Sequence, residues 1–181
     1  MLHQAVSDSI GELGHLEEIV TAAQFRGAIS LIANAPQLHV LAQRRAFPVA
    51  CYLAYALSQL ELRAHLLDSV GGMLPEFVRS IGSSEVLIAI SFRNYSPDVV
   101  DTAAACKARG VPVIAITDSA LSPLKPTARV CFELGDDSRR PFRSLVAPLC
   151  LAQALVVSTG HHLAGTKEKR RPAARSGRAV R

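Results

Sequence analysis

The 181-residue sequence has no tryptophan, and aromatic residues make up only 5% of it. Its core must therefore be aliphatic. At 49% hydrophobic and 19% charged, the chain has the material for one. No apolar stretch is long. The longest uncharged, mostly apolar runs are 46–60 and 145–160; both contain Ser or Gln, and both fall short of the roughly 18–20 residues that cross a bilayer. The opening ten residues mix His3, Gln4, Ser7 and Asp8 instead of forming a charged-then-apolar leader. These absences point away from a membrane-spanning or secreted protein and toward the cytoplasm. Cysteine is scarce, at 51, 106, 131 and 150, with no C-x-x-C pair and no histidine at ligand spacing. Each is expected to be a buried thiol in a reducing compartment. There is no G-x-G-x-x-G, no Walker lysine loop, no G-x-S-x-G and no H-E-x-x-H, so no cofactor and no metal is expected.

The charge is uneven. The net value of +5 suggests an acidic partner such as nucleic acid. Residues 165–181, however, carry seven of the twenty basic residues and one of the fifteen acids, which leaves 1–164 at a net of −1. The chain is expected to be one domain over 1–164 followed by a basic, disordered tail over 165–181. That tail reads as a solubilising end or as a weak contact for an acidic partner.

Within 1–164, apolar β-rich runs alternate with helical patterns. Strands are expected at 38–41, 64–67, 86–90, 113–116 and 130–134. Helices are expected at 6–33, 47–59, 75–81, 97–109 and 145–158. The runs at 86–90 and 113–116 lack polar alternation, as strands covered on both faces do. The reading is an α/β fold, a three-layer α/β/α sandwich with a five-stranded parallel sheet. Ligands of such sheets bind beyond the carboxyl ends of the strands. The residues that matter most are then 42–46, 91–96 and 117–122.

The stretch S-F-R-N-Y-S-P-D, 91–98, holds two hydroxyls and Arg93 before a helix start, with Ser96 as N-cap and Pro97 as first helical residue. Such a loop either caps an ordinary helix or presents amides and a positive dipole end to an anion. T-D-S-A-L-S-P, 117–123, repeats the design more weakly, with Ser122-Pro123 as a second helix start or a simple cap and turn. The histidines form no ligand set: His161-His162 fall at the expected end of the last helix, and His39 and His65 in or beside strands.

The stretch "EVLIAISFRNYSPDVVDTAAACKARGVPVIAITDSALSPL" resembles the SIS (sugar isomerase) domain, most nearly that of RpiR-type (MurR/RpiR) transcriptional regulators. That family reads D-V-x-I-A-I-S-x-S-G-x-T, then a helix, then V-I-A-I-T-x-x-x-x-S-P-L. "VLAQRRAFPVACYLAYAL" fits its first strand, phosphate loop and helix, and the likeness spans roughly 5–160. The resemblance implies a flavodoxin-like strand order, a phosphosugar ligand and a homodimer or homotetramer. Carried over, Ser91 and Ser96 contact the phosphate, with Asn94, Thr117 and Ser122 in the same loops. The family's first loop reads G-x-G-x-S, but here 42–46 is A-Q-R-R-A, and Arg93 and Asn94 stand where S-x-S-G-x-T has its middle Ser and Gly. With Arg44, Arg45 and Arg93 present, either guanidinium groups hold the anion or the site is altered or lost.

Three functions follow. The favoured one is a non-enzymatic phosphosugar-sensing domain of a regulator. Only 37 residues precede the first expected strand, so DNA binding is expected only through a helix-turn-helix domain not present in this chain. A stand-alone isomerase would need a proton-transfer base; its candidates are Glu76, Glu133 and His161-His162. The third is a degenerate domain that serves only oligomerisation. An assembly is expected in any case, because 46–57 and 145–157 are apolar on nearly all faces.

Overall fold

The computed structural model describes residues 1–135 and 144–170, with backbone only for 167–170. The tail expected to be disordered over 165–181 is helical as far as Arg170, and its remainder, 171–181, lies outside the described residues. Helices α1 (Leu2–Ile19) and α2 (Ala22–Asn34) lead into β1 (Leu38–Ala42), α3 (Phe47–Gln59), β2 (Ala64–Leu66), α4 (Leu74–Ser80) and β3 (Val86–Ile90). Then come α5 (Pro97–Ala108), β4 (Val113–Thr117), β5 (Val130–Glu133) and α6 (Val146–Arg170). All four strand pairings are parallel, in the order β2-β1-β3-β4-β5. This is the expected three-layer sandwich and strand order.

Every residue of β1, β3 and β4 is buried, as strands covered on both faces must be. Alternation sorts their side chains between two cores. Val40, Ile88, Ile90, Ile114 and Ile116 pack with α2, α3 and α6. Leu41, Leu87, Ala89, Val113 and Ala115 pack with Leu74 of α4 and Val99, Ala103 and Cys106 of α5. Among the described residues, Phe92 and Phe132 are the buried phenylalanines.

The helical stretch expected over 6–33 is broken at Val20–Thr21. Thr21 Oγ1 accepts from the Gln24 amide at 3.2 Å, and Gln24 Oε1 accepts from the Thr21 amide at 3.0 Å. This reciprocal cap satisfies two amides and starts α2 afresh. Gln24 Nε2 then ties α2 to the Cys131 carbonyl of β5 at 2.9 Å.

Helix α6 runs to Arg170, twelve residues past its expected end, because Lys and Glu are good helix formers. His161 and His162 therefore lie inside a helix, exposed, and not at a frayed end. The stretch Val146–Thr166 is long and apolar enough by composition to cross a membrane, which the sequence reading did not anticipate. Here it packs on α1, α2 and α3 as a core helix.

Cys150 is exposed, against expectation, and Cys51 and Cys131 are half-buried. Burial pushes the Cys106 thiol up, and burial with the Glu133 charge pushes Cys131 up to about 11. At the amino end of the sheet, His39 is buried and its Nε2 lies 2.8 Å from Glu85 Oε2. Burial raises the Glu85 carboxyl, but its bonds to His39 and the Gly82 amide outweigh that and hold it below its ordinary value. This pair belongs to the core, far along the strands from the loops that follow them.

Candidate functional site

Strand order reverses between β1 and β3. The chain leaving β1 enters α3 on one face of the sheet, and the chain leaving β3 enters α5 on the other. The two exits part and leave a crevice between them, the place where sheets of this kind bind ligands. A cleft of ≈ 200 Å³ lies there, lined by residues 43–46 after β1 and by Ser91, Phe92, Arg93, Asn94 and Ser96 after β3. Enclosed pockets for drug-sized ligands measure roughly 300–1,000 Å³. At ≈ 200 Å³ this cleft has room for a smaller group.

The loop after β1 turns sharply. Gln43 is still extended, Arg44 is left-handed at φ 56, and residues 44–46 make one 3-10 turn before Pro48 helps to open α3. The loop after β3 contains a second left-handed residue, Asn94 at φ 69. Both occupy positions that are glycine in the SIS pattern, so the backbone path survives the loss of both glycines. Asn tolerates this conformation. For Arg it costs roughly 1–2 kcal/mol. The two turns are strapped together where Arg44 Nη1 donates to the Asn94 carbonyl at 3.3 Å.

Gln43 organises the floor between the loops. Its Oε1 accepts from the Ser96 hydroxyl, and its Nε2 donates to Asp98 Oδ2 at 2.8 Å and approaches Ser69 Oγ at 3.4 Å. One side chain thus joins the loops after β1, β2 and β3. Ser91 Oγ accepts from the Ser96 amide at 3.1 Å and keeps its own proton to donate. Asp118 stands behind the loop. It accepts from the Arg93 amide at 2.8 Å and from the Tyr95 hydroxyl at 2.9 Å.

Six of the eight expected residues therefore meet in the cleft: Arg44, Arg45, Ser91, Arg93, Asn94 and Ser96. Two corrections follow. Thr117 and Ser122 do not line it. They are buried, their hydroxyls bond each other at 2.7 Å, and Thr117 donates to the Ser91 carbonyl at 2.8 Å. Their work is to hold the β3 loop from below. Ser96 stands at the N-cap position but makes no side-chain cap bond. Its proton goes to Gln43, and the Arg93 and Ser96 amides are already taken by Asp118 and Ser91.

Gln43, Asp118 and Tyr95 were missed as site residues. Position was the available signal for Gln43 and Asp118, since each directly follows a strand. The lining carries three guanidinium groups and, among the described residues, no carboxylate and no imidazole.

Solved structures share this fold. The sugar isomerase domain of an RpiR transcription factor from Sphaerobacter thermophilus is 20% identical, with a TM-score of 0.83 over 93% of this chain and 98% of that one. The Vibrio vulnificus NanR protein, complexed with ManNAc-6P, is 18% identical at a TM-score of 0.80, and this chain's 92% match covers 64% of its length. Phosphoheptose isomerase GmhA from Neisseria gonorrhoeae is 16% identical at a TM-score of 0.74, covering 91% and 97%. Curated proteins gave no significant match. The family model of the SIS domain matches residues 31–158, well over half of the sequence, and the chain belongs to the SIS domain family.

Proposed function

We propose that the cleft binds the phosphoryl group of a sugar phosphate and that the chain is a non-enzymatic sensing domain of the RpiR-regulator kind. The observation that carries this reading is the lining itself: three arginines and the free proton of Ser91 at the switch point, with no acid or base among the described lining residues. Guanidinium forks match phosphate geometry. A protein of the same fold, NanR, was obtained with ManNAc-6P.

The candidate bases named from the sequence lie outside the cleft lining. Glu76 pairs with Arg79 at 2.7 Å, Glu133 pairs with Lys125 at 2.7 Å, and His161 and His162 lie exposed on α6. In this reading DNA recognition belongs to a helix-turn-helix domain outside the SIS domain. Four free cysteines support a cytoplasmic location.

The reading includes self-association. Leu2, Val6, Ile10 and Leu13 form one exposed apolar stripe along α1, and Tyr55 and Val157 are exposed as well. A second copy is the cover proposed for this surface. Light scattering at micromolar concentration is expected to show a dimer or tetramer; a monodisperse monomer overturns it.

The test of function is thermal shift and calorimetry with a panel of sugar phosphates, run beside a turnover assay. Binding without turnover is expected. Turnover makes the protein an isomerase, and no response to any ligand leaves oligomerisation as its role.

A further inference from the structure

Resting on the sugar-phosphate reading, we infer that the two serines of the β3 loop divide the ligand between them: Ser91 donates to the phosphoryl oxygens, and Ser96, made an acceptor by Gln43 and Asp98, takes a hydrogen bond from a hydroxyl of the sugar. The inference follows from counting protons. Both serines line the cleft and both are buried. A hydroxyl has one proton and two lone pairs. Ser91 Oγ accepts from the Ser96 amide at 3.1 Å and donates to nothing among the described residues, so its proton is available to an anion. Ser96 is the reverse. Its Oγ stands at hydrogen-bond distance from Gln43 Oε1. An amide oxygen brings no proton, so the one between them belongs to Ser96. The Ser96 oxygen then has only lone pairs to offer the cleft.

Asp98, outside the lining, decides which end of Gln43 faces Ser96. Its Oδ2 lies 2.8 Å from Gln43 Nε2. An ionised carboxylate only accepts, so the amide nitrogen must stand there and the amide oxygen must face Ser96. Gln43 Nε2 also approaches Ser69 Oγ, an oxygen that can accept, at 3.4 Å. Turning the Ser96 proton into the cleft would strand Gln43 Oε1 without its partner.

A sugar phosphate offers two kinds of partner. Above its second pKa of about 6 the phosphoryl group has acceptor oxygens only. These suit Ser91 and the guanidinium groups, and they do not suit Ser96. The donors left on the ligand are the hydroxyls of the sugar, and Ser96 is where one of them is read. A site built to hydrogen-bond a hydroxyl rejects the analogue that lacks it. The SIS pattern puts both serines on the phosphate. Gln43 stands at an unspecified position of its G-x-G-x-S loop and changes the part that Ser96 plays.

Two matched pairs of probes test this, ranked at equal ionic strength by how well each displaces the tightest sugar phosphate of the panel. At about pH 8 hydrogen phosphate and sulfate carry nearly the same charge and differ by one proton. Glycerol 3-phosphate and propyl phosphate are both dianions there and differ by two hydroxyls. Hydrogen phosphate is expected to bind about fivefold or more tightly than sulfate, and glycerol 3-phosphate about fivefold or more tightly than propyl phosphate. Asp98→Asn lets the Gln43 amide turn over and Ser96 donate, because an asparagine amide both donates and accepts. The phosphate-to-sulfate ratio of that variant should fall to about twofold or less; the lost charge acts on both ions alike and cancels in the ratio. Ser96→Ala should weaken hydrogen phosphate more than sulfate. Equal binding of hydrogen phosphate and sulfate by wild type, or a ratio that Asp98→Asn leaves unmoved, overturns the acceptor role of Ser96. Equal binding of glycerol 3-phosphate and propyl phosphate overturns the sugar hydroxyl as its partner. Each of these results leaves the sugar-phosphate reading standing. If no sugar phosphate of the panel binds, that reading fails, and this inference falls with it.

Discussion

The loops after β3 and β4 both carry a Ser-Pro step, and they end as different structures. After β3, Ser96-Pro97 opens the twelve-residue α5 and leaves 91–96 facing a cleft. After β4, Ser122-Pro123 opens no α-helix. The chain makes turns and a single 3-10 turn at Lys125–Thr127, with Thr117 and Ser122 buried beneath. Pro126 supplies the reason. In a helix begun at Pro123, residue 126 would donate the first intrahelical bond, and proline has no N–H to give. The Lys125 amide takes the Ser122 carbonyl at 3.1 Å instead. A helix start is thus decided by what stands three residues later. Once the helix fails, the same hydroxyl chemistry turns inward and becomes support for its neighbour.

The largest effect is expected on the open loop. Arg93→Ala should lower affinity for a bound sugar phosphate about tenfold or more, since a charge-assisted hydrogen bond is worth about 1.5–3 kcal/mol. Calorimetry measures it. A loss below about twofold removes Arg93 from the phosphate site. The buried loop should respond in the opposite way. Thr117→Val keeps the shape but strips a donor from the Ser91 carbonyl and a partner from Ser122. Stability should fall by about 1–3 kcal/mol, read by chemical denaturation, while affinity of the still-folded protein stays within about threefold. If binding vanishes, the β4 loop belongs to the site after all.

Arg44→Gly separates strain from function. Relief of the left-handed turn, about 1 kcal/mol, offsets the lost bond to Asn94, about 0.5–1.5 kcal/mol. Stability should barely move while affinity drops. A fall of more than about 2 kcal/mol would make the Arg44–Asn94 strap structural. The smallest effect is expected for Ser96→Ala. An N-cap lost to alanine costs about 1 kcal/mol, but this hydroxyl caps nothing and bonds Gln43. Losing the Gln43 bond should cost about 0.5–1.5 kcal/mol, read by chemical denaturation, and a fall of more than about 2 kcal/mol would contradict the arrangement.

Legibility followed the same division. The apolar run 86–90 is the observed β3 to the residue, and the pattern at 47–59 is the observed α3. In both cases a local signal, a continuous aliphatic run or an early proline, states its own answer. The break at Thr21 and the reach of α6 to Arg170 were missed for a related reason. A capping box inside a helical pattern and a charged run of helix formers both compete with the period that reading relies on. In the site, the arginines and serines could be found because they differ from or match a known loop pattern. Gln43 could not, because its partners Ser69, Ser96 and Asp98 come from three separate stretches of chain.

By itself the sequence determined the alternation of strands and helices, the aliphatic core and the family. Apolar periodicity and short motifs act over a few residues and need no partner to be read. Tertiary structure alone decided that two arginine-bearing turns face each other and that Thr117 and Ser122 turn inward. It also decided that Ser96 spends its proton on Gln43 and not on its own helix. Each of these is a choice between hydrogen-bond partners distant in sequence. The reversal of strand order brings the loops after β1 and β3 together, and only then is there a partner to choose.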